Sequence, residues 1–432
     1  MSKLSFFQIV ILSVFGALAI GGVMIFAFVV GGSGGEGIGE VEIWGTLDAG
    51  AFSVVLRQLS DEDSRLKAVT YVQKDEATFS RDVTDALASG SGPELFILRN
   101  DYAERDGAKA VAIPFASFSE EQFQNTFIEA ASPFVGGDGI RGVPFAADPL
   151  VLYWNRDLMG SAGFSQAPQY WGDFYDIASK ATMKDDTNTV KKSGVALGEY
   201  SNVNHAKDIL ALLILQAGGR ITSRDSTGKL STALVSRAGD TQQPSESAVR
   251  FFTEFANPIK TYYSWNRARP ESRQTFATGD LALYVGLASE EPLIRRLNPN
   301  LNFAVAPVPQ IKGGNRSLDV AHVYAFAVPK ASANREGALT VAYLLASQKP
   351  SQLLSQALGI PSARRDVLAM PLSGRDDLFN KQAIIARSWT DPDPEKTDTI
   401  FRDMIESITS GAARLSEAIQ RADQAMTQLM SI

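Results

Sequence analysis

The sequence predicts an α/β protein built from two bodies. Strand-like and helix-like segments alternate through the start of the folded region, which implies crossover connections and a mostly parallel sheet. The run Pro149–Trp154 is continuously apolar and rich in Leu, Val and aromatics, as suits a strand buried on both faces. With 432 residues, the chain is longer than one core usually organises, and two domains of roughly 150–200 residues each are expected.

The elements follow in order. Residues 4–30 carry no charge, and the only clearly polar ones are Ser5, Gln8 and Ser13. As a helix the stretch would reach about 40 Å, enough to cross a hydrocarbon core with tilt. Phe26, Phe28, Val29 and Val30 stand where a cleavable signal would want small residues, so an uncleaved transmembrane anchor is expected. Lys3 precedes it and no Lys or Arg follows until Arg57, which predicts a cytoplasmic amino terminus and an external body. Residues 31–39, GGSGGEGIG, read as a flexible linker; no strand precedes them and no lysine follows at phosphate-loop spacing.

Residues 40–47 alternate as a first strand, 52–59 have helical spacing, and 68–72 form a second strand. A helix over 79–87 closes at Ser89-Gly90-Ser91-Gly92-Pro93, and 94–98 make a third strand. After Trp154, Asn155-Arg156-Asp157 is a turn and cap, followed by a short helix ending at Gly163 and another beginning near Trp171. Residues 195–217 give a strand, a polar loop over 199–204 and a helix. Further segments are a helix over 245–255, strands over 303–309 and 322–329, and a helix over 335–346. The tail from Thr399 reads as two amphipathic helices broken near Gly411.

Composition narrows the chemistry. A net charge of −7 argues against nucleic acid, whose phosphates want a basic patch. The absence of cysteine rules out disulfides, thiol catalysis, thiolate metal sites and thioether lipidation. The two histidines, His205 and His322, lack a second ligand at metal spacing, and no cofactor or metal is expected.

Several ordered motifs resemble the extracellular solute-binding proteins of ABC importers, the family of maltose-binding protein and its sugar-binding relatives. The strand Pro149–Trp154 running into Asn155-Arg156-Asp157-Leu158, then Pro168, Trp171, Asp173 and Phe174, is similar to that family's hinge-proximal signature. Phe276–Gly286, Phe303–Pro309 and Gly359-Ile360-Pro361 match later motifs in the right order, so the resemblance runs with gaps from Val41 to the carboxyl terminus. It implies a two-lobe, periplasmic-binding-protein-like fold of type II. Residues 40–147 and 325–360 would form the amino-terminal lobe, and 148–324 and 361–432 the other, with the ligand crevice between them.

In such sheets ligands sit beyond the carboxyl ends of strands. Thr46 and Asp48 follow the first strand, Asn100 and Asp101 the third, and Asp148 stands at the crossing; short polar side chains there suit sugar hydroxyls. Helix capping is the competing role for Asp48 and Asp101. Trp265 and Trp389, in irregular polar contexts, and Tyr200, in a loop after a second-lobe strand, are candidate rings for a sugar face. Ser289 and His322 complete the candidate set. Gly286-Leu287-Ala288-Ser289 departs from the glycine-x-tryptophan that several sugar binders carry there, which weakens any transfer of maltodextrin specificity.

The resemblance thus implies a binding protein, not an enzyme, that captures a sugar or oligosaccharide and delivers it to the permease subunits of an ABC transporter, and the apolar run over 4–30 is expected to tether it to the membrane. An anchored sensor of the same fold is one alternative. A surface glycoside hydrolase, which would need two opposed carboxylates from Asp48, Asp101 and Asp148, is another.

Overall fold

A computed structural model describes residues 38–235, 243–314 and 316–431. The apolar segment 4–30 and most of the glycine-rich linker lie outside the described residues. Within them, no helix is long and apolar enough to cross a membrane.

The first lobe grows from three short strands. In β1 (Val41–Gly45) alternate residues are buried, the period-2 pattern of a strand. It pairs in parallel with β2 (Val69–Gln73) on one edge and β3 (Leu95–Arg99) on the other. Helix α1 (Ala49–Glu62) crosses from β1 to β2 and α2 (Phe79–Ser89) from β2 to β3. Asp48 starts α1 by accepting the Ala51 N–H at 2.7 Å, and Gly90 ends α2 at φ 73°, a left-handed conformation that suits glycine.

The architecture turns on β4 (Val143–Asn155), thirteen residues of which only Trp154 is not fully buried. The later strands are β5 (Val190–Val195), β6 (Leu281–Leu287), β7 (Phe303–Ala306) and β8 (Asp319–Ala327). The first half of β4 pairs with β8, with Asp148 opposite His322. Its second half pairs with β6 and β7, with Tyr153 opposite both Tyr284 and Val305. The far edge of β8 joins β3 and thereby the first lobe, and β6 continues to β5. Burial on both faces of β4 therefore does not signal a parallel neighbourhood: its partners β6, β7 and β8 all run antiparallel to it. Each lobe has a mixed sheet where a mostly parallel one was expected, because apolar composition reports burial and not strand direction.

Two hydrophobic cores flank this shared strand. The first gathers around Phe52, Phe145 and Phe326, with the last two rings stacked at 4.3 Å. The second gathers around Tyr153, Phe276, Tyr284 and Phe303. The chain passes between them along β4, along β8, and a third time where Ala386–Arg387 lies beside Asp319–Val320 before the helix Pro394–Thr409.

Two boundaries move. Residues 361–386, expected in the second lobe, pack largely on the first, where Ala363, Leu368, Ala383 and Ala386 are buried. The cause lies in backbone bonds: Pro361 accepts the Ala147 N–H at 2.8 Å and Phe145 accepts the Ala363 N–H at 3.1 Å. Val323 and Tyr324, set in the second lobe by a boundary after residue 324, likewise belong to the first core. The tail is two helices, α3 (Pro394–Thr409) and a last one over Leu415–Leu429, with Gly411 between them at φ 76°.

Asn100 is the polar clasp of this arrangement. It is buried, donates to the carbonyls of Ala130 at 3.1 Å and Ala321 at 3.0 Å, and accepts the Val323 N–H at 3.0 Å. Asn100→Ala strands three buried backbone partners of β8 and its neighbour, and a loss of about 2–4 kcal/mol is expected in urea unfolding. A change below about 0.5 kcal/mol would remove the clasp role.

Candidate functional site

Between the two cores lies a cavity of about 800 Å³. Its first-lobe wall comes from the end of β3 and the turn after it, which present Arg99, Asp101 and Tyr102. Its floor is the pair of crossing strands, with Asp148 on β4 and His322 and Tyr324 on β8. The second-lobe wall is built from Tyr200, the first turn of the helix Ala206–Gln216, Ser289 and Glu290 after β6, and the first turns of α3. These are the ends of strands and starts of helices, where side chains point into the gap and free N–H groups remain.

Most charges in the cavity are already matched. Arg99 holds Asp101 through two contacts, Nε–Oδ1 at 2.7 Å and Nη2–Oδ2 at 2.9 Å, and also reaches Glu76. Burial works against the Asp101 carboxylate, yet Arg99 keeps its pKa below the usual range. Lys207 bonds Asp391 at 2.9 Å; burial pushes the Asp391 carboxyl up to about 6 although Lys207 opposes the shift.

A second network centres on Glu290, which accepts from the Tyr284 hydroxyl at 2.5 Å, Arg273 at 2.9 Å and His205 at 3.0 Å. Desolvation disfavours the His205 cation, but Glu290 and Asp208 outweigh it and raise its pKa to about 10. Burial likewise opposes the Glu290 anion, and His205 brings it down to about 2. His205 begins the helix Ala206–Gln216 at φ 59°, a left-handed backbone that costs a non-glycine residue of order 1 kcal/mol and persists where surroundings enforce it. Asp208 lies 3.6 Å from His205 and 3.3 Å from His322, so one carboxylate ties the helix start to the floor.

Asp148 stands apart. It is 1% exposed, and one oxygen accepts the Ser289 N–H at 3.0 Å. Burial raises its pKa to about 6 against the opposing pull of the Ser289 hydrogen bonds and of His322, with Glu290 adding a smaller repulsion.

Of the sequence candidates, the structure brings Asp101, Asp148, Tyr200, Ser289 and His322 together in the cavity lining. Thr46 lines a smaller first-lobe recess of about 80 Å³ beside it. Asp48 is a helix cap and Asn100 a buried clasp, as described. Trp265 is completely buried, its indole N–H bonded to Asn202 at 3.0 Å, and belongs to the second core. Trp389 packs against that core, 6.1 Å from Phe401, and is not among the lining residues. The rings that do face the cavity are Tyr102, Tyr200 and Tyr324.

Sequence reasoning missed Arg99, His205, Lys207, Asp208 and Glu290. Their signal was adjacency: Arg99 precedes Asn100-Asp101, Glu290 follows Ser289, and His205–Asp208 opens a helix straight after a polar loop.

Comparisons with known proteins agree with this architecture. Residues 67–350 match the family model of the bacterial extracellular solute-binding proteins. A binding protein of Brucella abortus (strain 2308) is 24% identical over 241 residues, 54% of this chain and 54% of that protein. The chain thus spans about half the length of the curated relatives it matches. Among solved structures, a cyclo/maltodextrin-binding protein complexed with maltotetraose superimposes with TM-score 0.71 at 17% identity, covering 92% of this chain and 98% of that one. The cyclic α-maltosyl-1,6-maltose-binding protein of Arthrobacter globiformis gives 0.73 at 16% identity, covering 90% and 98%. The maltose/maltodextrin-binding domain from Bdellovibrio bacteriovorus bound to maltotriose gives 0.67 at 15%, covering 91% and 100%. At these identities the likeness establishes the two-lobe fold.

Burial of the Asp148 carboxylate costs the folded protein stability. Its folded pKa of about 6 lies above the ordinary carboxylate value, so its contribution is most favourable at low pH and is lost as pH rises from about 4 through 6. Asp148→Asn keeps an acceptor for Ser289 and removes the charge. The variant is expected to be more stable than the parent above pH 7, by up to about 3 kcal/mol, with the gain vanishing near pH 4. Denaturation at a series of pH values checks this; a gain independent of pH would refute it.

Proposed function

The chain belongs to the bacterial extracellular solute-binding protein family, and from that premise we propose that it captures a carbohydrate in the cleft between its lobes and passes it to an ABC permease. The observation that carries this reading is the cavity itself: it lies between two cores joined by three passages of chain and is lined by fixed polar groups and three tyrosines. Carboxylates, a backbone N–H-rich turn and hydroxyls are suited to sugar hydroxyls, and tyrosine rings to the apolar face of a pyranose. The maltodextrin-type ligands of the solved neighbours support the same class. Micromolar capture needs about −8 kcal/mol, within reach of a few aromatic contacts and a ring of hydrogen bonds.

In this reading Asp101, Asp148, Tyr200, Ser289 and His322 touch the solute, and closure of the lobes forms the surface presented to the permease. Residues 4–30 anchor the protein as a single span, with the amino terminus cytoplasmic and the body outside. Retention of the full chain in carbonate-washed membranes, and its release when residues 1–30 are removed, are the expected outcomes; extraction of the intact chain by carbonate would refute the anchor.

The full chain in mild detergent is the object for a binding screen against neutral and amine-bearing mono- to tetrasaccharides. A true ligand at 100 times its dissociation constant should stabilise the folded state by about 2.7 kcal/mol, and small-angle scattering should register contraction. Tyr200→Ala is expected to weaken binding at least tenfold and Trp265→Phe to leave affinity unchanged at matched fold. A flat response to every carbohydrate would defeat the proposal.

A further inference from the structure

Resting on the carbohydrate reading above, we propose that the solute carries a protonated amine and that Asp148 is its seat. The argument is one of matching. Each cation along the cavity already has a carboxylate partner: Arg99 has Asp101, Lys207 has Asp391, and His205 and Arg273 share Glu290. Arg402 leans on Asp403 at 3.7 Å. The carboxylates are not all matched in return. Among the described residues no cation forms an ion pair with Asp148, which Ser289 alone hydrogen-bonds, or with Asp398, which accepts from the Tyr200 hydroxyl at 2.6 Å.

Position makes Asp148 the stronger of the two. It is 1% exposed at the point where β4 leaves the first lobe, and its side chain lines the cavity. Its hydrogen bonds come from Ser289, the backbone N–H at 3.0 Å and the side chain, and among the described residues no Lys, Arg or His forms an ion pair with it. A buried carboxylate is ordinarily compensated by a cation or several donors, because isolated burial of charge is expensive. Here no ion pair supplies it, His322 opposite on β8 attracts only from a distance, and Glu290 on the second-lobe wall adds like charge.

A ligand ammonium supplies what is absent. It brings up to three donors and a full positive charge, and it forms the short charge-assisted bonds that a neutral hydroxyl does not. Tyr324, which also lines the floor, and Tyr200 place aromatic faces nearby that tolerate a cation. Asp398, at the second-lobe end of the cavity, offers a second anionic contact to an extended amino-sugar. The Arg99 and Lys207 heads, already bound, do not oppose it as free charges.

The test uses the full chain at pH 7.0 and two matched pairs of probes: cellotetraose with the glucosamine tetramer, and maltotetraose with its 6-amino-6-deoxy derivative. Calorimetry is expected to give at least tenfold tighter binding for an amine-bearing probe than for its neutral parent. That preference should shrink in 0.5 M salt and fall within threefold in Asp148→Asn. Asp398→Asn is the second variant, expected to lower the preference partially, and circular dichroism establishes that both variants are folded. Neutral parents binding as tightly as the amines, or a preference unaltered in Asp148→Asn, would overturn the inference while leaving the carbohydrate reading in place. Silence from all four probes, when other neutral sugars bind in the wider screen, overturns the inference alone; silence from every sugar overturns both.

Discussion

One strand belongs to two cores, and the rest of the molecule follows from that. Val143–Asn155 is paired with β8 over its first half and with β6 and β7 over its second, so its backbone bonds are divided between lobes that otherwise pack separately. A strand satisfied on both edges and buried on both faces is a poor place for a bend except where partners change. That change falls at Asp148-Pro149, where proline has no N–H to give and β8 is near its start. The gap between lobes opens beside this junction, and the most deeply buried unmatched carboxylate of the cavity stands on it.

The electrostatics of the cavity follow a division of labour. Arg99 with Asp101, and Glu290 with His205 and Arg273, are groups that fix one another in place before any solute arrives. Preorganisation of this sort lowers the ordering cost of binding, since fewer rotamers remain to be frozen. Asp148 is the opposite case: burial disfavours its charge, and among the described residues no cation forms an ion pair with it. The same residue that weakens the fold is therefore the one whose contacts a ligand can improve most, a common relation between stability and function.

Much of this was readable in the sequence. The alternation of strands and helices, the glycine stop at Gly90 and the break at Gly411 are local features, and local chemistry fixes them, whereas Asp48, expected among the ligand contacts, is spent on its competing role as a helix cap. The cavity positions Asp101, Asp148, Tyr200, Ser289 and His322 were accessible because they follow strand ends or sit at the crossing. Trp265 was not: its neighbours Asn266, Arg267 and Arg269 read as a surface loop, yet Asn202 takes its indole N–H and Arg269 lies over its ring at 5.8 Å. Asn100 occupies the right place after β3 but turns inward to the backbone of β8, a partner more than two hundred residues away. Strand direction was likewise closed to inspection, because an all-apolar strand is consistent with either sense of neighbour.

The first turn of the helix Ala206–Gln216 links these points. Its sequence, His205-Ala206-Lys207-Asp208, carries alternating charge that on an ordinary helix would be read as solvated surface. In the fold each charged member finds a different partner: His205 meets Glu290 after β6, Lys207 meets Asp391 just after the third passage, and Asp208 meets His322 on β8. One helix start thus touches two of the three passages and the turn after β6 on its own wall. A rotation of the lobes about those passages must move these ion pairs together or break them. Because they are buried, breaking any one leaves an uncompensated charge, so the pairs favour movement of the second lobe as a unit. The left-handed His205 backbone is the local strain that this shared anchoring sustains.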